Sequence, residues 1–418
     1  MKIGFLFPDK GFVNVDLSNP RNGNNGVGGT QYSFVYLGFQ LAKNKNYELY
    51  FYHFNNNLLP FGINSVICPN VESIFEKAKN DCVDILIFWT DYDVSLINLL
   101  SKYELNGILW AHNNLTYSLV KACEKSHFLK RVIFVGKQEY DRYIDCDIIY
   151  KSDFIYNMFD GNFFEKRELP SDNNVAYVGS LVYDKGFHVL ASIWKKILKK
   201  VPTAKLFVIG NGKLYDRNSK LGKFGLTNEK YENKFIPYII DNDKIIDSVI
   251  FLGSLGIEKN EYFKKIKVGV VNPTAKSETF GLSAIEMEAF GIPVVSKAKN
   301  GMYETVLNRK TGVLVHNKRQ LKKAIITLLK NNKMNNLLSK QAKEFSNSAF
   351  LPNDICDKWC ITFDEIQNNK LPRYVKPKNH FFNNGKFFRI INRYIRKIFR
   401  FLPSFLQLEY FCRKIIKK

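Results

Sequence analysis

Short apolar runs alternate with longer amphipathic stretches along most of the 418-residue chain. Apolar runs rich in Val, Ile and Phe, bounded by turn residues, are typical of buried strands, and amphipathic stretches between them are typical of helices. Ahead of residue 160, strands are predicted at 3–7, 48–52, 84–89, 107–110 and 132–135. This alternation predicts βαβ units and a mainly parallel sheet.

The same pattern restarts after a polar stretch at residues 160–174, which we interpret as a linker. Further strands are predicted at 175–178, 206–209, 249–252, 268–271 and 294–296. Two α/β halves suit this chain length, because single hydrophobic cores stop growing at about 250–300 residues. Ligands of such sheets bind beyond the carboxyl ends of the strands, so any site is expected there.

Four segments are therefore expected along the chain. Residues 1–165 form the first Rossmann-like domain, 172–350 the second, 351–370 a helix that packs back toward the first, and 371–418 a basic tail. In the tail, cationic and polar side chains recur with helical spacing at Arg389, Asn392, Arg393, Arg396, Lys397 and Arg400, opposite Phe388, Ile391, Ile395, Ile398 and Leu402. The spacing predicts a basic amphipathic helix that ends at Pro403.

The composition adds a strong positive charge to this picture. Lys and Arg number 62 against 39 Asp and Glu, for a net charge of +23, and such an excess attracts anionic partners. No nucleic-acid-binding module is recognisable and cations concentrate in the tail, so the expected partner is an anionic membrane surface, not nucleic acid. No apolar run approaches the roughly 20 residues that span a bilayer, so the attachment is expected to be peripheral. The seven cysteines lack paired spacing, which favours a reducing, cytoplasmic location. The peripheral attachment is therefore expected on the cytoplasmic face of the membrane.

Candidate chemistry concentrates in residues 272–295, which are predicted to form strand, loop, helix, turn and strand. A loop that leads into a helix presents free backbone N–H groups, which can hold a diphosphate. The residues at this turn are Thr279, Phe280, Gly281 and Leu282. Glu286 follows one turn into the helix, where its carboxylate can accept both hydroxyls of a ribose. Alternatively, Glu278 and Glu286 only stabilise the helix N-terminus electrostatically.

Glu278 and Glu286 are separated by seven residues, and this segment resembles the EX7E motif of the retaining glycosyltransferase family 4. The resemblance continues through Gly301 and Glu304. It implies an α/β GT-B fold, with two Rossmann-like parallel-sheet domains facing across a cleft, to which this chain adds its basic helical tail. It also implies transfer of a hexose-type sugar from a nucleotide sugar, expected to be a UDP-sugar, to a glycan or lipid-linked acceptor. The implied pathway is surface polysaccharide or lipopolysaccharide synthesis, with no metal or other cofactor.

The resemblance also assigns roles in residues 177–186. Gly179 and Ser180 match the loop that opens the family's second domain, and Lys185 matches its phosphate-binding lysine. The family usually has arginine where Ser180 stands, so the charge and the two-pronged hydrogen bonding of that arginine are missing. Lys276 or Lys297 is expected to supply the lost charge.

Two more positions follow from the resemblance in the first half of the chain. Gly28 and Gly29 match a glycine loop near the donor phosphates, and His112, just past a predicted strand, matches a histidine that contacts the donor sugar. The implied catalytic residues are thus Glu278, His112 and Lys185. The implied nucleotide-sugar ligands are Glu286, Ser180, Gly179, Gly28, Gly29, Thr279, Phe280, Gly281 and Leu282.

Three alternatives remain open at this point. Asp91 and Asp93 resemble the metal-binding Asp-x-Asp of GT-A transferases, although they can equally begin the following helix. Glu278 and Glu286 can also be the acid and base of a glycosidase. The charge by itself is compatible with a non-enzymatic protein that binds membranes or nucleic acid.

Overall fold

The computed structural model describes residues 1–90, 93–161, 168–212 and 220–416. These residues form two compact units. The first unit contains residues 1–18, 33–157 and 353–418, and the second contains 19–32 and 158–352. Part of the predicted linker, 162–167, lies outside the described residues. The domain bounds expected from the sequence stay a prediction.

The first unit is built on a seven-stranded parallel sheet with the order β3-β2-β1-β4-β5-β6-β7. Its strands are β1 Lys2–Leu6, β2 Glu48–His53, β3 Ile63–Ile67, β4 Ile85–Phe88, β5 Gly107–Ala111, β6 Leu129–Phe134 and β7 Ser152–Phe154. Strand β1 lies between β2 and β4, with Ile3 aligned to Leu49 on one side and Ile85 on the other. Strands β2 and β3 follow on one side of β1, and β4 to β7 follow on the other side. The switch point of the sheet therefore lies between β1 and β4.

Five helices of the described residues cover this sheet, and two of them begin with a side-chain cap. They are α1 Gly29–Leu41, whose first turn belongs to the second unit, α2 Val71–Asn80, α3 Ser95–Tyr103, α4 Tyr117–Lys125 and α5 Lys137–Tyr140. Asn70 caps α2 by accepting from the backbone N–H of Ser73, and Thr116 does the same for α4. Such caps satisfy N–H groups that the helix itself leaves open.

The second unit has a six-stranded parallel sheet with the order β12-β9-β8-β13-β14-β15. Its strands are β8 Asn174–Val178, β9 Lys205–Ile209, β12 Val249–Gly253, β13 Val268–Val270, β14 Val294–Lys297 and β15 Gly312–Val315, and a small hairpin is formed by β10 Ile240–Asp241 and β11 Lys244–Ile245. The helices are α6 Phe187–Leu198, α7 Glu229–Phe235, α8 Lys259–Phe263, α9 Leu282–Ala289, α10 Met302–Thr305, α11 Lys318–Lys330 and α12 Asn332–Ala349. Gly269 on β13 lies under α9, because a Cβ there would stand 2.4 Å from the sulfur of Met287.

Helix α13, Pro352–Gln367, returns the chain to the first unit. Its Trp359 is fully buried and meets Trp110 of β5 with ring centroids 4.8 Å apart. The tail follows as α14, Lys386–Ile398, and α15, Phe405–Ile416. Among the described residues, no helix is both long and apolar enough to cross a membrane.

The tail helix predicted from the spacing of its cations is present as α14, but its orientation differs from the expectation. Its cationic side chains contact the first unit instead of pointing outward: Lys386 pairs with Asp141 and Arg389 with Asp145. The physical reason is a group of carboxylates in residues 141–147 that the sequence pattern of the tail alone does not reveal.

Candidate active site

The candidate site lies at the switch point of the second sheet, between β8 and β13. These strands are neighbours, and the order of the sheet reverses between them. Gly179 and Ser180 follow β8 directly, and the loop from Asn272 to Glu278 begins two residues after β13. In open parallel sheets, ligands bind at this position because the loops separate there and leave a crevice.

A charged cluster joins the two loops. The ammonium of Lys185 lies 2.8 Å from Oε2 of Glu278, and the side-chain amide of Asn272 donates to the same oxygen over 2.8 Å. The Lys185 and Glu278 side chains are only 22% and 12% exposed. Partial burial strengthens this interaction relative to a pair in open solvent, so the ammonium is held in one place.

The backbone around this cluster explains why the loops come so close. Gly186 has φ +77°, and a Cβ there would lie 2.6 Å from the methyl of Thr274. The hydroxyl of Tyr177 donates to the carbonyl of Lys185 over 3.1 Å, and Asn272 accepts from the N–H of Ala275 over 2.8 Å. Only glycine permits both this conformation and this approach, so the position of Lys185 is set by its neighbour.

Helix α9 begins just after Glu278 and has no side-chain cap. Its preceding residue, Gly281, packs against α10, since a Cβ would lie 2.7 Å from the hydroxyl of Thr305. Phe280 is fixed by an edge-to-face contact with Phe350, with ring centroids 5.3 Å apart. The N–H groups of Leu282 and Ala284 donate to the carbonyls of Phe280 and Gly281, so the start of α9 offers an anion chiefly the positive end of the helix dipole.

Glu286 lies in the second turn of α9 and forms a buried ion pair. Its Oε1 is 2.9 Å from the ammonium of Lys259 at the start of α8, and the Lys259 and Glu286 side chains are 8% and 7% exposed. A buried carboxylate needs such a partner, because removing a charge from water costs several kcal/mol. Lys259 was not expected from the sequence: it precedes Glu286 by 27 residues and belongs to no motif that we recognised.

The glycine loop before α1 groups with the second unit. Gly26 has φ +80°, and a Cβ there would be 3.8 Å from the backbone nitrogen of Gly256, on the loop that leads to Lys259. A Cβ on Gly29 would be 3.9 Å from the side chain of Leu282, the first residue of α9. Gly28 packs against Gln31 within the first turn of α1. The structure thus brings Gly29 and Leu282 together, two residues that are far apart in the sequence.

His112 lies in the first unit, immediately after β5. Its ring is 4.8 Å from that of Trp110 and 6.1 Å from that of Phe34. Burial lowers the pKa of the His112 imidazole to about 3, so this ring is neutral at physiological pH. A neutral imidazole has one donor and one acceptor nitrogen, which suits hydrogen bonding to a sugar hydroxyl.

The two lysines expected to replace the missing arginine have other partners. Lys276 pairs with Asp184 at 3.2 Å, on a largely exposed surface, and Lys297 donates to the carbonyl of His316. Ser180 is buried, and its carbonyl accepts from the Tyr177 hydroxyl. Lys185 contacts Glu278, and Lys259 contacts the second motif glutamate, Glu286.

Asp93 acts at the start of α3. Its carboxylate accepts from the backbone N–H of Ser95 over 2.8 Å and from the Ser95 hydroxyl over 2.6 Å. These two hydrogen bonds lower the pKa of the Asp93 carboxyl. Asp91 lies outside the described residues. The contacts of Asp93 favour the interpretation that this residue helps to begin helix α3.

Glu288, two residues beyond Glu286, has a different environment. It is fully buried and accepts from the Thr311 hydroxyl over 2.7 Å. Burial raises the pKa of this carboxyl well above its usual range. Glu288 therefore belongs to the core of the second unit, and we assign it no contact with a ligand.

The Glu288→Gln variant is expected to become more stable than the parent protein as the pH rises. An acid with a raised folded-state pKa contributes stability that is fully present below its unfolded pKa of about 4.3 and is lost as the pH rises through the folded value. Glutamine keeps the acceptor for Thr311 and has no such loss. Thermal unfolding between acidic and mildly basic pH measures the difference; parallel curves for the two proteins would contradict the assignment.

The sequence of this half of the chain matches a known family. The family model for glycosyl transferases, group 1, matches residues 159–345, which include Lys185, Lys259, Glu278 and Glu286. This segment is therefore similar in sequence to the group 1 glycosyl transferases. Among curated proteins, the chain is 30% identical over 159 residues to the capsular polysaccharide biosynthesis glycosyltransferase CapM of Staphylococcus aureus. The matched segment covers 37% of this chain and 37% of CapM, so the chain spans well under two thirds of that relative.

Solved structures resemble the protein over a longer stretch than the family model does. The sucrose-phosphate synthase of Thermosynechococcus elongatus superposes with a TM-score of 0.65 at 17% identity, covering 88% of this chain and 100% of that one. HepE of Anabaena, in complex with UDP-glucose, gives a TM-score of 0.65 at 14% identity, covering 87% of this chain and 100% of that one. Together with the two parallel sheets, these similarities confirm the predicted GT-B fold with a helical tail.

Proposed function

We propose that the protein is a retaining glycosyltransferase of family 4 that transfers a hexose-type sugar from a UDP-sugar to a glycan or lipid-linked acceptor. The observation that carries this proposal is the cluster of Lys185, Glu278 and Asn272 at the switch point of the second sheet. A fixed ammonium beside the N-terminal turn of α9 suits the negative charge that develops on a departing diphosphate. HepE, a structural neighbour, binds UDP-glucose, which supports the same donor class here.

Each residue of the site has a defined part in this proposal. Lys185 and the positive end of the α9 dipole stabilise the diphosphate, and Glu286 accepts the ribose hydroxyls. The contact of His112 with the donor sugar stays a prediction of the family resemblance. The acceptor oxygen then bonds to the anomeric carbon on the face where the bond to the diphosphate breaks, and the hydroxyl proton passes to the departing phosphate oxygen, so the sugar keeps its anomeric configuration. No protein nucleophile and no metal are required, because charge stabilisation and alignment of the two substrates lower the barrier.

A radiolabelled-sugar assay tests the reaction. With UDP-glucose and candidate glycan acceptors, we expect label in the acceptor and not in free sugar, and the same rate when EDTA is present. Free sugar as the main product would instead identify a hydrolase, and loss of activity with EDTA that magnesium restores would contradict the metal-independent mechanism. The anomeric configuration of the product, read by NMR, tests retention.

We also propose that the protein acts in surface polysaccharide or lipopolysaccharide synthesis, at the cytoplasmic face of an anionic membrane. CapM, the curated relative, is named for capsular polysaccharide biosynthesis. The net charge of +23 and the amphipathic helix α14 are suited to an anionic bilayer surface. Such a location would bring the enzyme to acceptors that are carried on lipids.

A further inference from the structure

Helix α14 has its polar and apolar faces reversed relative to an ordinary surface helix. Surface helices usually turn their apolar stripe toward the core and their charges toward water. In α14, the buried side chains are Lys386 and Arg389, which pair with Asp141 at 2.7 Å and Asp145 at 3.4 Å. All four of these charged groups are almost completely excluded from solvent. The cationic side of the helix is thus its inner side.

Further contacts fix the rotation of α14 about its own axis. The second oxygen of Asp145 accepts from the side-chain amide of Asn392 over 2.9 Å and from the backbone N–H of Phe405 over 2.6 Å. Arg393 donates to the carbonyl of Ile144 over 2.7 Å, and its guanidinium lies 4.0 Å from the centroid of the Tyr374 ring. Turning the helix over would take Arg389 and Asn392 away from the buried carboxylate of Asp145, at a cost of several kcal/mol for an uncompensated charge.

The outward side of the tail is consequently apolar. We call this surface the aromatic face; its most exposed members are Phe382 at 95%, Phe401 at 82%, Ile398 at 76% and Ile415 at 74%. The other exposed large apolar side chains on it are Phe381, Phe387, Phe388, Ile391, Tyr394, Ile395, Phe399, Leu408 and Phe411. Large apolar side chains that are exposed in this number on one short segment indicate a surface that another molecule or a membrane covers.

We propose that the aromatic face inserts into the interfacial layer of a lipid bilayer, while the buried ion pairs hold the tail rigidly on the first unit. This inference rests on the membrane association proposed above. It assigns the contact with the bilayer to apolar side chains, whereas most of the cations of α14 attach the helix to the rest of the first unit. Transfer of Phe, Tyr and Ile side chains from water to this layer lowers the free energy, and aromatic rings are favoured there.

Charge complementarity favours a bilayer over a second copy of the chain. The same segment also carries exposed cations, at Lys376, Lys378, Lys397, Arg400, Arg413 and Lys414. Two copies meeting face to face would bring these like charges together, which costs energy across an interface. Anionic headgroups would neutralise them at each position.

Sedimentation with vesicles of phosphatidylcholine, with or without phosphatidylglycerol, tests the proposal on the full-length protein. We expect binding that is stronger with the anionic lipid but persists at about 1 M salt, where the Debye length is only about 3 Å. The double variant Ile398→Asp/Phe401→Asp should lower the partition coefficient by at least about tenfold, because it removes two large side chains from the inserted surface. Its thermal shift with UDP should match that of the parent protein.

The matched control carries the same two substitutions at exposed apolar positions outside the tail. Leu337 on α12 and Ile361 on α13 are 57% and 58% exposed, so Leu337→Asp/Ile361→Asp should bind vesicles as the parent does. Equal binding by the Ile398→Asp/Phe401→Asp variant, or complete loss of binding at high salt, would overturn the role of the aromatic face. A lipid-free dimer that this variant dissociates, without vesicle binding, would assign the face to a second copy instead.

These experiments distinguish a failure of the inserted apolar face from a failure of the membrane association or of the sugar transfer proposed above. A parent protein that binds neither type of vesicle would remove the membrane association itself. Sugar transfer to a soluble acceptor by the same preparation would still establish the enzymatic activity.

Discussion

Glu286→Ala is expected to abolish use of the donor. In the proposed role of Glu286, the variant loses both hydrogen bonds to the ribose, and hydrogen bonds to a charged group contribute about 1.5–3 kcal/mol each. Donor affinity should therefore fall by roughly two to four orders of magnitude. The thermal shift caused by UDP measures binding, and the radiolabelled-sugar assay measures turnover.

The buried pair with Lys259 requires a second variant in this experiment. Removing Glu286 alone leaves the ammonium of Lys259 buried without its partner, and breaking a buried pair costs about 3–5 kcal/mol of folding free energy. The double variant Glu286→Ala/Lys259→Met removes the stranded charge and should recover most of that stability. It should still fail to bind UDP, so the loss of binding is separated from unfolding.

Glu288→Gln serves as the control on the same helix. Glu288 contacts Thr311 within the core, so its replacement should leave the UDP-induced shift unchanged. A Glu286→Ala/Lys259→Met protein that UDP stabilises as strongly as the parent would refute the assignment of Glu286 to the donor.

Lys185→Ala is expected to lower kcat by about two to three orders of magnitude, the size of effect seen when one preorganised group that stabilises a transition-state charge is removed. The substitution also frees Glu278, whose carboxylate would then repel the departing diphosphate. KM should rise less than kcat falls, because the charge of the diphosphate grows as the bond to the sugar breaks. Steady-state kinetics with the UDP-sugar measures both constants.

Two further variants make this test specific. Lys185→Arg keeps the positive charge and should retain part of the activity, although the geometry of the contact with Glu278 changes. Lys276→Ala removes a lysine from the adjacent loop whose ion pair with Asp184 is largely exposed, so its effect should be small. Equal losses for Lys185→Ala and Lys276→Ala would indicate a general effect of positive charge and contradict a specific role for Lys185.

Sequence patterns located the strands that carry the site because those strands are buried on both faces. All ten strands predicted from apolar runs are present, among them β8 and β13, whose carboxyl ends lead into Lys185 and Glu278. The three large-sheet strands that were not predicted are β3, β7 and β15, each at the edge of its sheet. Strand β3 is mostly exposed, and β7 has three residues, so neither produces a continuous apolar run. Edge strands are buried on fewer sides and therefore leave a weaker signal.

The chain sequence by itself determined the two parallel α/β halves, the group of residues around Glu278 and Glu286, and the existence of a basic amphipathic helix in the tail. These features depend on the periodicity of apolar residues and on residues that are close together in the chain. Only the tertiary structure decided that Lys259 pairs with Glu286, that Lys276 and Lys297 have other partners, and that the cations of α14 point inward to Asp141 and Asp145. Contacts between distant segments depend on which buried charge needs a partner, and no local pattern records that requirement.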